Sequence, residues 1–232
     1  MLALLKGFNM HEKISIIGAG SWGTALAIHL AGNFGQISLW VYEKELCETI
    51  TRTRDNAWFL PGHPLPKNIH PTSSLQSAVQ GQSLILLVVP THVIRQTLVQ
   101  IKPFIEKNCL VISASKGIEN DTLFTSHQIT QDVLGTNTPT ATISGPTFAK
   151  EIAEGVPSAL LASAKNLETA RLVQELFTTD KMKVFANDDL VGVEIGGALK
   201  NVIAIATGIS DGLGLGYNTR AALITRGLVE IS

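Results

Sequence analysis

A glycine-rich segment is the first feature of this sequence with a clear chemical meaning. It reads Gly18-Ala19-Gly20-Ser21-Trp22-Gly23, which is the pattern G-x-G-x-x-G. Gly18 would make a tight turn, Gly20 would let a pyrophosphate approach the backbone, and Gly23 would let a helix pack closely on a strand. A predicted strand at 14–17 precedes the segment and a predicted helix at 22–31 follows it, so helix N–H groups would face the phosphates. A plain glycine turn is the alternative, but this context favours dinucleotide binding.

The end of the second predicted strand, at 37–41, bears on which dinucleotide would bind. An acidic side chain there hydrogen-bonds the ribose 2′-OH of NAD, whereas a nearby arginine accommodates the 2′-phosphate of NADP. Glu43 lies one or two positions past the usual place, and Arg52 and Arg54 are close in sequence. Because Glu43 equally fits the start of a helix, the sequence leaves the choice between NAD and NADP open.

Polar groups follow two other predicted strands. Lys116 follows the strand at 110–114, and Gly145 and Thr147 follow the strand at 141–144. Ligands of open α/β sheets bind at the carboxyl ends of the strands, so Lys116 is well placed to meet an anionic substrate. Gly145 permits close approach of the backbone, and Thr147 supplies a hydroxyl near the start of a helix. A solvated surface lysine is the alternative for Lys116.

The strand at 84–89 ends in Pro90-Thr91-His92 at the same edge. We expect Pro90 to lie beside the nicotinamide end of a bound cofactor. His92 has the side chain of a general base, but we interpret it as an ordinary residue in the first turn of a helix. The remaining histidines form no metal-ligand spacing with Cys47 or Cys109, so no metal site is predicted.

Lys200 is the most informative single residue, because it lies in the middle of an apolar helical segment. A lysine is costly to bury in its charged form, so we expect its pKa to fall, which would make it a usable general base. If the helix continues past Gly208, Thr207 and Asp211 return to within about 20° of the Lys200 face. One stripe would then carry a base, a hydroxyl and a carboxylate. A lysine that extends to solvent at the edge of a bundle is the alternative.

The composition excludes several classes of protein. The chain has 232 residues with a formal charge of −1, 45% apolar residues and 16% charged residues. Disorder is excluded, and the near-neutral charge argues against a nucleic-acid partner. The most apolar run, residues 84–90, is far shorter than the roughly 20 residues that span a bilayer. Two cysteines cannot form a disulfide framework. We therefore predict a cytoplasmic protein without a membrane span.

Short apolar runs alternate with segments of helical period, which is typical of βαβ units. The fold class predicted is α/β: a Rossmann-like, doubly wound, mostly parallel sheet, followed by the start of an all-helical C-terminal domain. Strands are predicted at 14–17, 37–41, 84–89, 110–114, 141–144, 159–162 and 183–185. Helices are predicted at 22–31, 44–54, 91–101, 148–154 and 167–177. The proline-rich segment 55–73 is expected to be a long ordered loop or lid.

The character of the chain changes after residue 186. The predicted N-cap cluster Asn187-Asp188-Asp189 is followed by a helix that is apolar nearly all round, which is typical of a helix buried in a bundle. We divide the chain into a dinucleotide-binding domain, 1–186, and the first helices of a substrate domain, 187–232. The chain stops inside a predicted helix, which suggests a truncated second domain. Its exposed apolar surface predicts poor solubility or a homodimer contact.

Taken together, the motifs resemble the bacterial-type NAD(P)-dependent glycerol-3-phosphate dehydrogenase family. The segment from Gly197 through Lys200-Asn201 to Asn218 is similar to that family's signature, and the segments 18–23, 116–117 and 144–151 match in order and spacing. The resemblance covers residues 13–231. It implies that the cofactor, NAD or NADP with NADPH slightly favoured, is contacted by Ser21, Trp22, Tyr42, Lys116 and Ala149. It also implies that Lys116, Gly145, Thr147 and Lys200 hold the substrate.

The resemblance implies a reaction as well. Lys200 would exchange the proton of the C2 oxygen while a hydride passes between NAD(P)H and dihydroxyacetone phosphate or sn-glycerol 3-phosphate, which supplies phospholipid synthesis. The family's substrate-phosphate arginine-asparagine segment lies beyond this chain. A 3-hydroxyacid or 6-phosphogluconate-type dehydrogenase is an alternative, although those enzymes carry asparagine one turn after the lysine, where Ala204 stands. For a truncated chain, a second alternative is a dinucleotide-binding module without catalytic activity.

Overall fold

The computed structural model describes residues 12–146 and 148–231, so Thr147 lies outside the described residues. Eight strands form one sheet in the order β3-β2-β1-β4-β5-β6-β7-β8, and only the β6–β7 pair is antiparallel. The strands are β1 (Lys13–Ile17), β2 (Gln36–Trp40), β3 (Ile69–Thr72), β4 (Leu84–Leu87), β5 (Leu110–Ser113), β6 (Thr140–Ser144), β7 (Ser158–Ala164) and β8 (Met182–Asn187).

Nine α-helices accompany the strands in the described part of the chain. They are α1 (Ser21–Leu30), α2 (Lys44–Thr53), α3 (Leu75–Val79), α4 (Thr91–Ile101), α5 (Ser126–Leu134), α6 (Ala149–Ala153), α7 (Leu167–Phe177), α8 (Leu190–Gly212) and α9 (Gly216–Ile231). A short 3₁₀ turn, Lys102–Phe104, extends α4.

The core lies on both faces of the sheet, as the uninterrupted apolar strands predict. Every residue of β4 is buried, with Leu84 and Leu86 in one apolar cluster and Ile85 and Leu87 in the other. Side chains alternate between the faces of a strand, so β4 must contribute to two helical layers. The predicted doubly wound α/β sheet is therefore confirmed.

The strand order reverses beside β1, which pairs with β2 on one side and β4 on the other. At such a reversal the connections leave to opposite faces, and a crevice opens at the carboxyl ends of the two strands. The loops that start at Gly18 and Val88 lie at these two ends. This crevice is where the fold can place a ligand.

The segment 55–73 was predicted to be a loop or lid, and this is wrong for its last part. Residues Ile69–Thr72 form β3 at the edge of the sheet, paired in parallel with β2. Pro71 hides the strand in the sequence, but an edge strand tolerates a proline, since one side of it needs no partner. The remainder, from 54 to 68, is irregular and contains one isolated bridge between Asn56 and Leu60.

Helices α3 and α5 were also missed by the sequence analysis. A capping box was the available signal for α5: the Gln128 side chain accepts from the Thr125 amide at 2.9 Å, in the pattern Thr-x-x-Gln. For α3 the signal was the Ser74 side chain, which accepts from the Ser77 amide. Both helices are short, so their apolar periodicity is weak.

Helix α8 is less buried than the sequence predicts. It runs without a break through Gly208, and Leu190, Val193, Glu194 and Gly197 face the sheet. Its outer face, which includes Val191, Val202 and Ile205, is more than half exposed. In the described residues α9 is the helix that packs along it, and the predicted helical C-terminal region is confirmed. By length and composition α8 could cross a membrane, with a mean hydropathy of 1.5 over its most apolar stretch.

Candidate active site

The three glycines of the first motif have three different environments. A Cβ on Gly18, whose φ is +119°, would lie 2.9 Å from the Val88 carbonyl oxygen, and one on Gly23 would lie 1.9 Å from the Gly18 oxygen. A Cβ on Gly20 would meet nothing within 4 Å. Gly18 and Gly23 are therefore required by the protein's own packing, whereas Gly20 leaves open space in which a ligand can approach the backbone.

The N-terminus of α1 faces that open space. Gly20 is the N-cap, and within the described residues no side chain caps the helix. The first amides of a helix have no intrahelical acceptor, and they carry the positive end of the helix dipole. This arrangement is the one that binds the pyrophosphate of a dinucleotide.

A cavity of about 760 Å³ extends from this turn along the carboxyl ends of β1, β4 and β5. The structure brings all of the predicted cofactor-contacting residues to its wall: Gly18, Gly20, Ser21, Trp22, Gly23, Tyr42, Pro90, Lys116 and Ala149. Its volume lies in the usual range for a cofactor site. The residues present therefore fit an extended dinucleotide.

Several wall residues were missed by the sequence analysis. They are Phe59 from the irregular segment, Val93, Gln96, Thr97 and Gln100 from α4, and Phe148 ahead of α6. Gln96 and Gln100 are four residues apart, so one helix face presents both amides. That spacing was the only signal in the sequence for this part of the wall.

Asn56 attaches the segment expected to be a lid to the glycine turn. Its fully buried amide donates to the Ala19 carbonyl oxygen and to the Thr24 hydroxyl, both at 2.8 Å. A buried amide with both donors satisfied fixes its loop in one place. This fixed segment carries Phe59 to the cavity.

The adenosine end of the cavity bears on the choice between NAD and NADP. Glu43 lines the cavity, and Tyr42 beside it is 76% exposed. Arg54 is already engaged: its guanidinium donates to the carbonyl oxygens of Leu65, Pro66 and Ile69. Arg54 therefore serves to hold its own loop, whereas Arg52, the other arginine that the sequence offers for a 2′-phosphate, is exposed on α2.

Two lysines meet at one carbonyl group next to the cavity. Lys200 Nζ donates to the Gly145 oxygen at 2.7 Å, and Lys116 Nζ donates to the same oxygen at 3.3 Å. Burial lowers the pKa of Lys116 to about 8, and the hydrogen-bonding and charge effects of Lys200 act in the same direction. A lysine with such a pKa can gain and lose a proton near neutral pH.

Neighbouring groups fix the backbone around these lysines. The Thr91 hydroxyl donates to the Lys116 carbonyl oxygen at 3.0 Å, and Gly117 adopts a φ of +139° against that same threonine. On the other side, a Cβ on Gly197 would lie 2.8 Å from the Ser144 hydroxyl, so α8 touches the end of β6 closely. The pair of lysines is therefore carried by two rigid elements.

The helix continues past Gly208, so Lys200, Thr207 and Asp211 have the predicted helical spacing, and the stripe as a functional surface stays a prediction. The Thr207 hydroxyl donates to the Ile203 carbonyl oxygen of its own helix at 2.8 Å. Asp211 accepts from the Arg220 guanidinium at 2.8 Å, across the turn between α8 and α9. Local partners occupy both groups, although the helical spacing is as predicted.

The remaining predicted groups are placed as follows. His92 is exposed in the first turn of α4, in agreement with its interpretation as an ordinary helix residue. No group of three or more His, Cys, Asp or Glu side chains within 12–146 and 148–231 could hold a metal ion. Thr147, predicted to contact substrate, lies outside the described residues.

The glycine turn, the uncapped α1 and the crevice at the strand reversal define a dinucleotide-binding protein of the Rossmann class, with Lys116 in the cavity wall and Lys200 beside it. A family model described as the N-terminus of NAD-dependent glycerol-3-phosphate dehydrogenase matches residues 13–170, and the model of the C-terminus matches residues 189–232. The chain belongs to the NAD-dependent glycerol-3-phosphate dehydrogenase family.

Individual relatives agree with this family. A glycerol-3-phosphate dehydrogenase [NAD(P)+] of Citrifermentans bemidjiense is 51% identical over 96% of this chain and 67% of its own length. One from Moorella thermoacetica is 44% identical over 96% of this chain. The crystal structure of glycerol-3-phosphate dehydrogenase from Coxiella burnetii superimposes with a TM-score of 0.89 at 38% identity, over 96% of this chain and 68% of that one. This chain thus spans about two thirds of these relatives.

The glycine environments predict opposite effects for two alanine substitutions. Gly23→Ala should lower the free energy of unfolding by roughly 2–3 kcal/mol, because its methyl would meet the Gly18 carbonyl. Gly20→Ala should change stability by less than about 1 kcal/mol. It should weaken NAD(H) and NADP(H) binding about tenfold or more, since the methyl enters the space a pyrophosphate needs. Urea unfolding measures the change in stability, and calorimetric titration measures the change in cofactor affinity. If both variants lost stability and affinity to the same extent, the different roles assigned to Gly20 and Gly23 would be contradicted.

The lowered pKa of Lys116 predicts a pH dependence of stability. The folded protein releases this proton near pH 8, whereas an unfolded chain keeps it to about 10.4. Between these values the unfolded state binds more protons, so the free energy of unfolding rises with pH. Lys116→Gln should lack this rise, while every other titrating group is shared with the parent. The measurement is the parent-minus-variant difference in urea unfolding from pH 7 to 10, and a difference that stays flat would overturn the assignment.

Proposed function

We propose that this site transfers a hydride reversibly between NAD(P)H and dihydroxyacetone phosphate, forming sn-glycerol 3-phosphate and NAD(P)+, with Lys200 as the general acid and base. The observation that carries the proposal is the convergence of Lys200 and Lys116 on the Gly145 carbonyl, beside a cavity whose wall suits a dinucleotide. Family membership and the names of the relatives support the substrate pair.

Residues of three segments would hold the cofactor. Gly20, Ser21 and Trp22 would bind the pyrophosphate through the end of α1, Tyr42 and Glu43 would flank the adenosine, and Pro90 would lie near the nicotinamide. When bound, the cofactor gives a hydride to C2 of the ketone or accepts one from C2 of the alcohol. The cofactor would be NAD or NADP. Glu43 at the wall and the engaged Arg54 support NAD.

The chain's own part in the reaction is proton transfer and charge stabilisation. In reduction, protonated Lys200 gives its proton to the carbonyl oxygen as the C–O double bond becomes a hydroxyl. In oxidation, neutral Lys200 takes the hydroxyl proton as hydride leaves C2. Lys116 holds the same end of the substrate and stabilises negative charge on the oxygen as it develops. The Gly145 carbonyl orients both amino groups, because both donate to its oxygen before substrate binds.

The anionic substrate suits two adjoining amino groups. A phosphate monoester carries close to two negative charges, and two lysines in a partly buried crevice attract it more strongly than they would in open water. Substrate binding also relieves the repulsion between Lys116 and Lys200. Thr147, which follows Pro146 in the sequence, is proposed as a further substrate contact because the family resemblance implies it.

We further propose the cellular setting that the family resemblance suggests. The protein would act in the cytoplasm, would supply glycerol 3-phosphate for phospholipid synthesis, and would form a homodimer. Residues 1–186 would form the cofactor domain, and 187–232 would begin the substrate domain. Helix α8 would lie against the sheet and would not span a membrane, because Glu194 and Lys200 both bond to groups outside the helix.

Lys200→Ala tests the proposal. Dihydroxyacetone phosphate-dependent oxidation of NADH and NADPH should fall by several orders of magnitude, since proton transfer and oxyanion stabilisation each contribute about 10²-fold or more. Cofactor affinity should stay within about threefold of the parent, because Lys200 is not on the dinucleotide wall. The assay uses the 232-residue chain and a fusion to the C-terminal third of the Citrifermentans bemidjiense relative.

Lys183→Ala, which removes an exposed lysine on β8, is the matched control and should be as active as the parent. Near-normal turnover in Lys200→Ala would reject Lys200 as the proton donor. If neither the chain nor the fusion reduces dihydroxyacetone phosphate while both bind cofactor, a 3-hydroxyacid substrate or a non-catalytic binding role takes precedence.

A further inference from the structure

Glu194 is a buried carboxylate on the same helix as Lys200 and six residues before it. Only 9% of its surface is exposed, although it belongs to a residue type that is rarely buried. Its Oε1 atom accepts a hydrogen bond at 3.0 Å from the backbone amide of His127. His127 is the second residue of α5, so Glu194 reaches from α8 to the N-terminus of a helix in the cofactor-binding part of the fold.

The end of α5 is a favourable partner for this side chain. The amides in the first turn of a helix lack intrahelical acceptors, and a carboxylate there is stabilised by the helix dipole. Burial raises the pKa of Glu194, and hydrogen bonds from the Thr125 side chain and the His127 amide oppose that rise. The contact is therefore directional, in contrast to the apolar packing of Leu190 and Val193 beside it.

Helix α5 is itself connected to the segment that carries Lys116. The chain leaves Lys116 and enters α5 ten residues later. Arg95 on α4 makes a two-pronged ion pair with Glu119 in that connection, with both distances 2.9 Å, and it also pairs with Asp132 on α5. Helix α5, through Asp132 in its last turn, and the loop after Lys116, through Glu119, are thus joined by Arg95.

The position of Lys200 depends on the contact between α8 and this part of the fold. Two lysines that share one carbonyl oxygen repel each other when both are charged, so α8 must be held against that repulsion. Among the described residues, the buried residues of α8 before Lys200 are Leu190, Val193, Glu194 and Gly197, and Ser210 is the buried residue after it. Of these, Glu194 bonds to an element that is braced to the Lys116 loop.

We propose that Glu194 is a positioning residue for the two-lysine site. By accepting a hydrogen bond at the N-terminus of α5, it fixes how α8 is rotated about its axis and how far it is shifted along that axis. This contact holds Lys200 beside Lys116 at the Gly145 carbonyl. The proposal rests on the proposed function only for the catalytic meaning of Lys200. The placement of the two amino groups can be tested without any substrate.

The test compares Glu194→Met, which keeps the length of the side chain but has no acceptor, with Glu194→Gln, whose amide oxygen can still accept from His127. Competitive labelling with acetic anhydride from pH 6.5 to 10, read by mass spectrometry, gives the pKa of Lys116 in each folded variant. Lys200→Gln provides the value that Lys116 takes when its neighbour's charge is absent. Val173→Ala creates a cavity in the buried face of α7, and it serves as the control for a loss of stability without a change at α8.

In Glu194→Met the pKa of Lys116 is expected to rise from about 8 toward the Lys200→Gln value, because Lys200 moves away while burial remains. Glu194→Gln and Val173→Ala should keep the parent value. In the fusion assay, Glu194→Met should lower kcat about 10²-fold, with the KM for cofactor unchanged and activity restored in Glu194→Gln.

A folded Glu194→Met protein with a Lys116 pKa of about 8 would overturn the proposal, whatever its activity. If Glu194→Met does not fold, Glu194→Asp decides, since it keeps the charge but shortens the reach by one methylene. A folded Asp variant with an unchanged Lys116 pKa would also overturn it. Failure of both variants to fold would reduce Glu194 to a stability role and reject positioning. If the Lys116 pKa shifts in Glu194→Met but the parent fusion has no dehydrogenase activity, the proposed function is rejected and the positioning role of Glu194 is supported.

Discussion

Two amino groups of the same charge share one carbonyl oxygen in this protein, and the surrounding structure must keep them together. Lys116 arrives from the end of β5 and Lys200 from α8, and both donate to Gly145 at the end of β6. Left to themselves, two ammonium groups separate into water. The sheet prevents this on one side by fixing three neighbouring strand ends, and the contacts of α8 prevent it on the other. Burial is the main cause of the lowered pKa of Lys116, and the enforced proximity of Lys200 lowers that pKa further.

The same sheet edge solves a second and independent problem, which is the binding of a dinucleotide. Gly18 and Gly23 are needed because the β1 turn, the Val88 backbone and α1 leave no room for a side chain. That compactness brings the start of α1 to the crevice and leaves space over Gly20. The cavity then continues to Lys116, at the carboxyl end of β5. The same edge of the sheet thus carries both the glycine turn and Lys116.

Much of this could be predicted from the sequence, because the informative features are local. The glycine spacing, the apolar strands and the position of Lys116 after β5 each depend on a few adjacent residues. Features that depend on distant partners could not be predicted. Strand β3 contains Pro71 and is a strand only because β2 offers it an edge. Glu194 reads as one charge in an apolar helix, and its partner at His127 is 67 residues away. The same holds for Thr207 and Asp211: helical spacing predicts their common face, but not that Ile203 and Arg220 are their hydrogen-bond partners.

The position of Lys200 within α8 explains why this helix can serve both the sheet and its neighbour. Before Lys200 the buried residues of α8 face β6 and β7, and Gly197 makes the closest approach at Ser144. After Lys200 the helix belongs to a hairpin: Gly227 of α9 packs on Ile203, and Arg220 pairs with Asp211 across the turn. Lys200 therefore stands where packing passes from the sheet to the second helix. A side chain at such a junction remains half-buried, close enough to the sheet to share the Gly145 carbonyl and still partly open to solvent. Deeper in the sheet contact, a lysine would have no access to the cavity. Farther along the hairpin, it would have no carbonyl to orient it.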